Sequence, residues 1–120
     1  MKTESPIRKR TARIDKPSNI VFAYRLFEKG SKFGDNCIFF RCDFEDNCSF
    51  GDNNEFTDYT KFGNNCKFGR NCKFGNACDF GNKCIFKEDC RFGNKPLFGN
   101  NCVMLQNNKI VKELSLTFKK

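Results

Sequence analysis

From Phe44 to Phe98 an apolar residue returns at every sixth position, and the chain between is mostly polar. Phe44, Phe50, Phe56, Phe62, Phe68, Phe74, Phe80, Phe86, Phe92 and Phe98 hold one phase, which Met104 and Ile110 continue. Two residues before most of them stands a small residue, usually Cys, as at Cys42, Cys48, Cys66, Cys72, Cys78, Cys84 and Cys90. Residues two apart in a strand share a side, so Cys and Phe face one way. The residue between them (Lys67, Lys73, Asp79, Arg91) faces the other. Gly follows many of the Phe directly, and the Gly-Asn or Asp-Asn pairs tolerate turn and left-handed backbone geometry. Each unit, Phe-Gly-x-x-Cys-x, therefore reads as a very short strand followed by a corner. A fixed period this short marks a solenoid, in which a unit buries its apolar residue only by stacking on its neighbours.

The phase extends upstream through Phe39, Phe33, Phe27 and Val21, with Ser31 and Cys37 in the small slot. Phe39 to Phe44 is a five-residue step and predicts a tightened corner or a bulge. About fifteen units fit between Val21 and Val111, on the six-residue period of a repeat array. Residues 18–27 predict a strand entering the first coil, and residues 109–118 a final strand or cap. The division expected is a basic arm over 1–17, a repeat domain over 18–111 and a capping strand over 112–120.

Nine Cys raise the question of a disulfide framework. The odd count, the missing apolar leader and the single repeat position argue instead for free thiols used as small core filler. Ser31, Asn54, Thr60, Pro96 and Asn108 take the same slot. No apolar run is long enough to span a membrane, and a cytoplasmic, reduced location is expected. The net charge of +8 is concentrated at the ends. Residues 1–20 carry six Lys or Arg against Glu4 and Asp15, whereas the repeat body is close to neutral.

The Phe-Gly-x-x-Cys-x unit resembles the hexapeptide repeats of left-handed parallel β-helices, with Phe in the aliphatic position and Cys in the small one. The resemblance covers about three quarters of the chain and implies an all-β, left-handed parallel β-helix solenoid. Three hexads would close one triangular coil, giving about five coils and a height of roughly 20–25 Å at the strand spacing. Eighteen-residue coils then imply inward stacks Phe44/Phe62/Phe80/Phe98, Phe50/Phe68/Phe86/Met104 and Phe56/Phe74/Phe92/Ile110. The competing right-handed pentapeptide-repeat helix also favours Phe, but its period is five.

Enzymes of the hexapeptide family are chiefly acyltransferases and one class of carbonic anhydrase, and their activity relies on His. This chain has no His, which argues against both, and no catalytic residue is assigned. The even spacing also leaves little room for the long loops that form an acyltransferase cleft. No C-x-x-C occurs and the thiols fall in separate strands, so no metal or other cofactor is expected. Glu45, Asp46, Glu88 and Asp89 read as solvated corner residues.

Binding is the class of activity that the residues favour. On the implied coil, Lys73, Arg91 and Lys109 follow Glu55 in one outward column. Ile85 with Val103, and Leu97 on another face, are candidate self-association residues. The arm residues Arg8, Lys9, Arg10, Arg13 and Lys16 are candidates for contacting a partner. Small solenoids of this kind look like compact accessory proteins of bacteria and their phages. The expected function is a non-enzymatic interaction or inhibitor module with a protein partner, for example one acting on a defence or nuclease complex. The alternatives are nucleic-acid binding through the arm and the Lys73 column and, behind it, an acyltransferase-like enzyme.

Overall fold

The computed structural model describes residues 9–11 and 17–114, and the described chain is all-β. Its strands are β1 (Lys9–Thr11), β2 (Val21–Ala23), β3 (Arg25–Phe27), β4 (Lys32–Phe33), β5 (Ile38–Phe40), β6 (Asp43–Phe44), β7 (Ser49–Phe50), β8 (Glu55–Phe56) and β9 (Lys61–Phe62). They continue with β10 (Lys67–Phe68), β11 (Lys73–Phe74), β12 (Asp79–Phe80), β13 (Ile85–Phe86), β14 (Arg91–Phe92), β15 (Leu97–Phe98), β16 (Val103–Gln106) and β17 (Lys109–Glu113). Every third strand pairs, which gives three parallel sheets: β1-β3-β6-β9-β12-β15, β4-β7-β10-β13-β16 and β2-β5-β8-β11-β14. The result is a three-sided parallel solenoid of about five coils. Registers such as Phe62↔Phe80↔Phe98 fix the eighteen-residue coil, which sets aside a five-residue repeat.

The core consists of three ladders of Phe rings. One is Phe27, Phe44, Phe62, Phe80 and Phe98; another is Phe33, Phe50, Phe68 and Phe86, closed by Met104. The third is Phe22, Phe39, Phe56, Phe74 and Phe92. Successive rings in a ladder are nearly parallel, with centroids from 4.8 Å (Phe68–Phe86) to 5.4 Å (Phe22–Phe39). Rings of different ladders meet edge to face, as for Phe62 and Phe68 at 4.9 Å and 88°. Both geometries suit the ring quadrupole, and together they fill a triangular section with one residue type.

Two inward positions differ from the sequence expectation. Val21 is 66% exposed, and Phe22 instead stacks on Phe39. The step from Phe22 to Phe27 is a second five-residue corner, built like the one at Phe39–Phe44: Tyr24 (φ 55°) and Arg41 (φ 56°) turn the chain two residues after Phe instead of three. The other correction is Ile110, which is 60% exposed and absent from the third ladder. Asn107 and Asn108 both have positive φ (52° and 64°) and form a two-residue hairpin turn of the primed type. The chain reverses there, so β17 runs antiparallel to β16, with a bulge that twists this edge strand. Leu114 follows it into the core, its N–H donating to the Cys102 carbonyl at 2.8 Å.

The corners explain the Gly. The left-handed residue of each regular corner is the one just before the small inward slot, for example Asn65 before Cys66 and Lys83 before Cys84. The Gly after Phe has a different task. At Gly81 an added Cβ would lie 2.5 Å from Asn64 Oδ1 and 2.6 Å from the Gly63 carbonyl oxygen. Asn64 folds over this point because its Oδ1 accepts the Asn82 N–H of the next coil at 2.8 Å. An Asx side chain on one coil thus demands Gly on the next. Where the preceding coil offers Arg70, Arg41 or Lys29 instead of Asx, the position is free to be Lys87, Thr57 or Glu45.

The small slots line the core beside the Phe ladders, and all nine Cys are free and buried. Eight of their thiols donate to carbonyls of the preceding coil, as Cys90 does to Gly69 at 3.2 Å. Asn54 is fully buried and satisfied: its Oδ1 accepts the Cys37 N–H at 2.8 Å, and its Nδ2 donates to the Gly34 and Gly51 carbonyls. Ser31 and Thr60 donate to carbonyls three residues earlier.

Candidate binding face

Among the described residues, nine large hydrophobic side chains are exposed. Six of them, Ile20, Val21, Tyr24, Ile38, Phe40 and Tyr59, belong to the sheet that begins with β2 and β5 or to its two flanking corners. They are 39–66% exposed, and all lie in the first three coils. This concentration separates them from the scattered apolar residues ordinary on any surface.

Local structure brings the group together. Val21 pairs with Ile38 and Ala23 with Phe40 in the β2–β5 register. Tyr24 and Phe40 meet edge to face at 5.5 Å, and the Arg41 guanidinium lies over the Phe40 ring at 5.9 Å. The short corners expose Tyr24 and Phe40, whereas Val21 and Ile38 take the ordinary outward position between the small slot and the Phe. With one residue fewer than a regular corner, Tyr24 and Arg41 take the left-handed turn position, and no Asx side chain folds over the neighbouring coil. Arg41 N–H donates to Thr57 Oγ1 at 2.9 Å instead. Two shallow open depressions border the same face. One, of about 400 Å³, is lined by Asn36, Asn53, Glu55, Asn71 and Lys73. The other, of about 280 Å³, is lined by Phe40, Arg41, Thr57 and Asp58.

The candidates read from the sequence are distributed as follows. Lys73 and Arg91 are exposed neighbours in the column Val21–Ile38–Glu55–Lys73–Arg91, which belongs to the face just described. Lys109 is not in that column; it lies on β17 of another sheet, beyond the chain reversal. Ile85 and Val103 are paired and half-buried on that other sheet, and Leu97 is exposed at the β15 end of the sheet that begins with β1. Lys9 and Arg10 fall in β1, which adds to the first sheet in parallel with β3, so this part of the arm is an edge strand. Arg8, Arg13 and Lys16 lie outside the described residues, as does the cap beyond Leu114. Val21, Tyr24, Ile38 and Phe40 were not among the sequence candidates. Their signal was the Phe-x-Tyr and Phe-Phe-Arg wording of the two short steps.

The thiol columns offer little chemistry. Cys66, Cys72 and Cys102 are held above the usual thiol range by hydrogen bonds with neighbouring thiols and by burial. Their partners Cys48, Cys84 and Cys90 are lowered by the same hydrogen bonds. Cys78 is raised by burial. Backbone hydrogen bonds add to the lowering at Cys48, Cys84 and Cys90, and all of these thiols are buried. Among the described residues no three His, Cys, Asp or Glu converge on a metal-sized point, and no helix is long and apolar enough to cross a membrane. Glu88 accepts the Asn107 N–H at 2.7 Å and pairs with Arg70 at 3.4 Å, a tie that fastens the terminal hairpin to the coil before it.

No family model, no curated protein and no solved structure matches this chain.

Proposed function

We propose that this protein is a non-enzymatic binding module whose docking face is the exposed apolar group of the first three coils, centred on Val21, Ile38, Phe40 and Tyr24. The reading is carried by the gathering of six of the nine exposed hydrophobics among the described residues on that sheet and its two flanking corners. Such a patch on a rigid scaffold favours a protein partner, because its aliphatic and aromatic side chains gain most by leaving water against a complementary apolar surface. We further assign the chain to the left-handed hexapeptide-repeat helices, on the support of its six-residue units and three-sided coil.

The test is capture from lysate after nuclease treatment, comparing the full chain with the variant Val21→Ser/Ile38→Ser/Phe40→Ser. These positions face outward, so the variant should still fold, with the largest cost, about 1 kcal/mol, at Phe40→Ser, which loses the contacts with Tyr24 and Arg41. A stoichiometric protein captured by the parent and lost from an equally folded variant is the expected result. Capture that is unchanged in the variant, or lost with nucleic acid, would remove the proposal.

A further inference from the structure

The same face continues into a cationic strip. Its outward column runs from Val21 and Ile38 through Glu55 to Lys73 and Arg91, one residue per coil. At ~4.8 Å per coil, Ile38 and Arg91 stand about 14 Å apart on one flank of the solenoid. Arg41 borders the apolar end, over Phe40. None of Arg41, Lys73 and Arg91 belongs to an ion pair among the described residues. The face therefore has an apolar half and a half in which the two cations Lys73 and Arg91 outnumber the one carboxylate of Glu55.

Resting on the docking reading above, we infer that the partner is an acidic protein segment. It sets apolar side chains against Val21, Ile38 and Phe40, and carboxylates against Lys73 and Arg91. Opposite charges facing each other across the strip steer association and fix the direction in which the segment lies. A nucleic acid fits less well: Val21 and Ile38 offer nothing to a phosphate, and Glu55 stands between the aromatic end and Lys73. A second copy also fits less well. Side by side it sets Lys73 against Lys73 and Arg91 against Arg91, and inverted it sets Val21 and Ile38 against the cations.

The experiment is selection of random dodecapeptides from a displayed library on the full chain, counter-selected on Val21→Ser/Ile38→Ser/Phe40→Ser. The expected winners combine aliphatic or aromatic residues with Asp or Glu. They lose tenfold or more in affinity on Lys73→Glu/Arg91→Glu, and peptides with Lys in place of Asp and Glu recover binding to that variant. Face-dependent peptides without carboxylates, or indifferent to the charge reversal, would overturn this inference and leave the docking face standing. A yield of no face-dependent peptides would count against both. Thymidine 20-mer binding that disappears on charge reversal would reassign the strip to nucleic acid. A concentration-dependent dimer abolished by the Ser variant would reassign the face to self-association.

Discussion

The coils between Phe62 and Phe98 and those before Phe56 are built on the same ladders, yet they present different surfaces. In the later coils every corner has six residues, and Asn64, Asn76 and Asn82 fold over Gly81, Gly93 and Gly99 just as Asp35, Asp46 and Asp52 fold over Gly51, Gly63 and Gly69 in the earlier ones. In the earlier coils two corners have five residues, Tyr24 and Arg41 occupy the turn, and Phe40, Val21 and Ile38 face solvent. The interior rings stack alike in both, with Phe39–Phe56 at 5.0 Å and Phe62–Phe80 at 4.9 Å. Regular repetition here fills the core, and the distinct surface of the earlier coils combines an outward column that begins with Val21 and Ile38 with the two short corners that add Tyr24 and Phe40.

The interior should be the most sensitive part. Phe68→Ala removes a ring that meets neighbours from all three ladders, and denaturant unfolding should show a loss of about 3–5 kcal/mol. Phe98→Ala, at the half-buried end of its ladder, should cost clearly less. Equal losses would mean that the stack is not the main source of stability.

The corners come next. Gly81→Ala drives a Cβ into the Gly63 backbone and the Asn64 amide and should cost about 1–3 kcal/mol. Lys87→Gly, where the preceding coil carries Arg70 and no Asx, should stay within about 0.5 kcal/mol apart from backbone entropy. A tolerated Gly81→Ala would break the proposed dependence of Gly on the Asx one coil earlier.

The smallest effect is expected at the terminal hairpin. The Asn107 N–H, and then Arg70, hold the Glu88 carboxyl below its ordinary value of 4.5. A lowered folded value means that this stabilisation is complete above the ordinary value and lost as pH falls through the folded one. Melting temperatures followed from pH 7 to pH 3 should fall slightly less in Glu88→Gln than in the parent. An identical acid response would show that the tie contributes nothing.

The ladders and the three-sided coil could be read in the sequence because a single residue type repeats at the spacing that the coil imposes. Phe22 escaped because Val21 beside it is also apolar and keeps the six-residue count. The five-residue step to Phe27 becomes visible only once it is set beside Phe39–Phe44. Ile110 fits the count as well, but Asn108, in the slot where Cys usually stands, adopts a positive φ after Asn107 and the chain reverses before it. Gly looked like a turn residue from its neighbours, whereas its cause lies about seventeen positions upstream in another coil. The binding face was hidden for a related reason: Phe40 adjoins an inward Phe, and only the turn at Arg41 decides that it points out.

The most direct measurement is hydrogen exchange on the full chain, alone and with the protein it captures. The account predicts slowed exchange over residues 20–24 and 38–41, with the faces bearing Ile85 and Leu97 unchanged. Protection confined to those other faces or to residues 9–11 would contradict it.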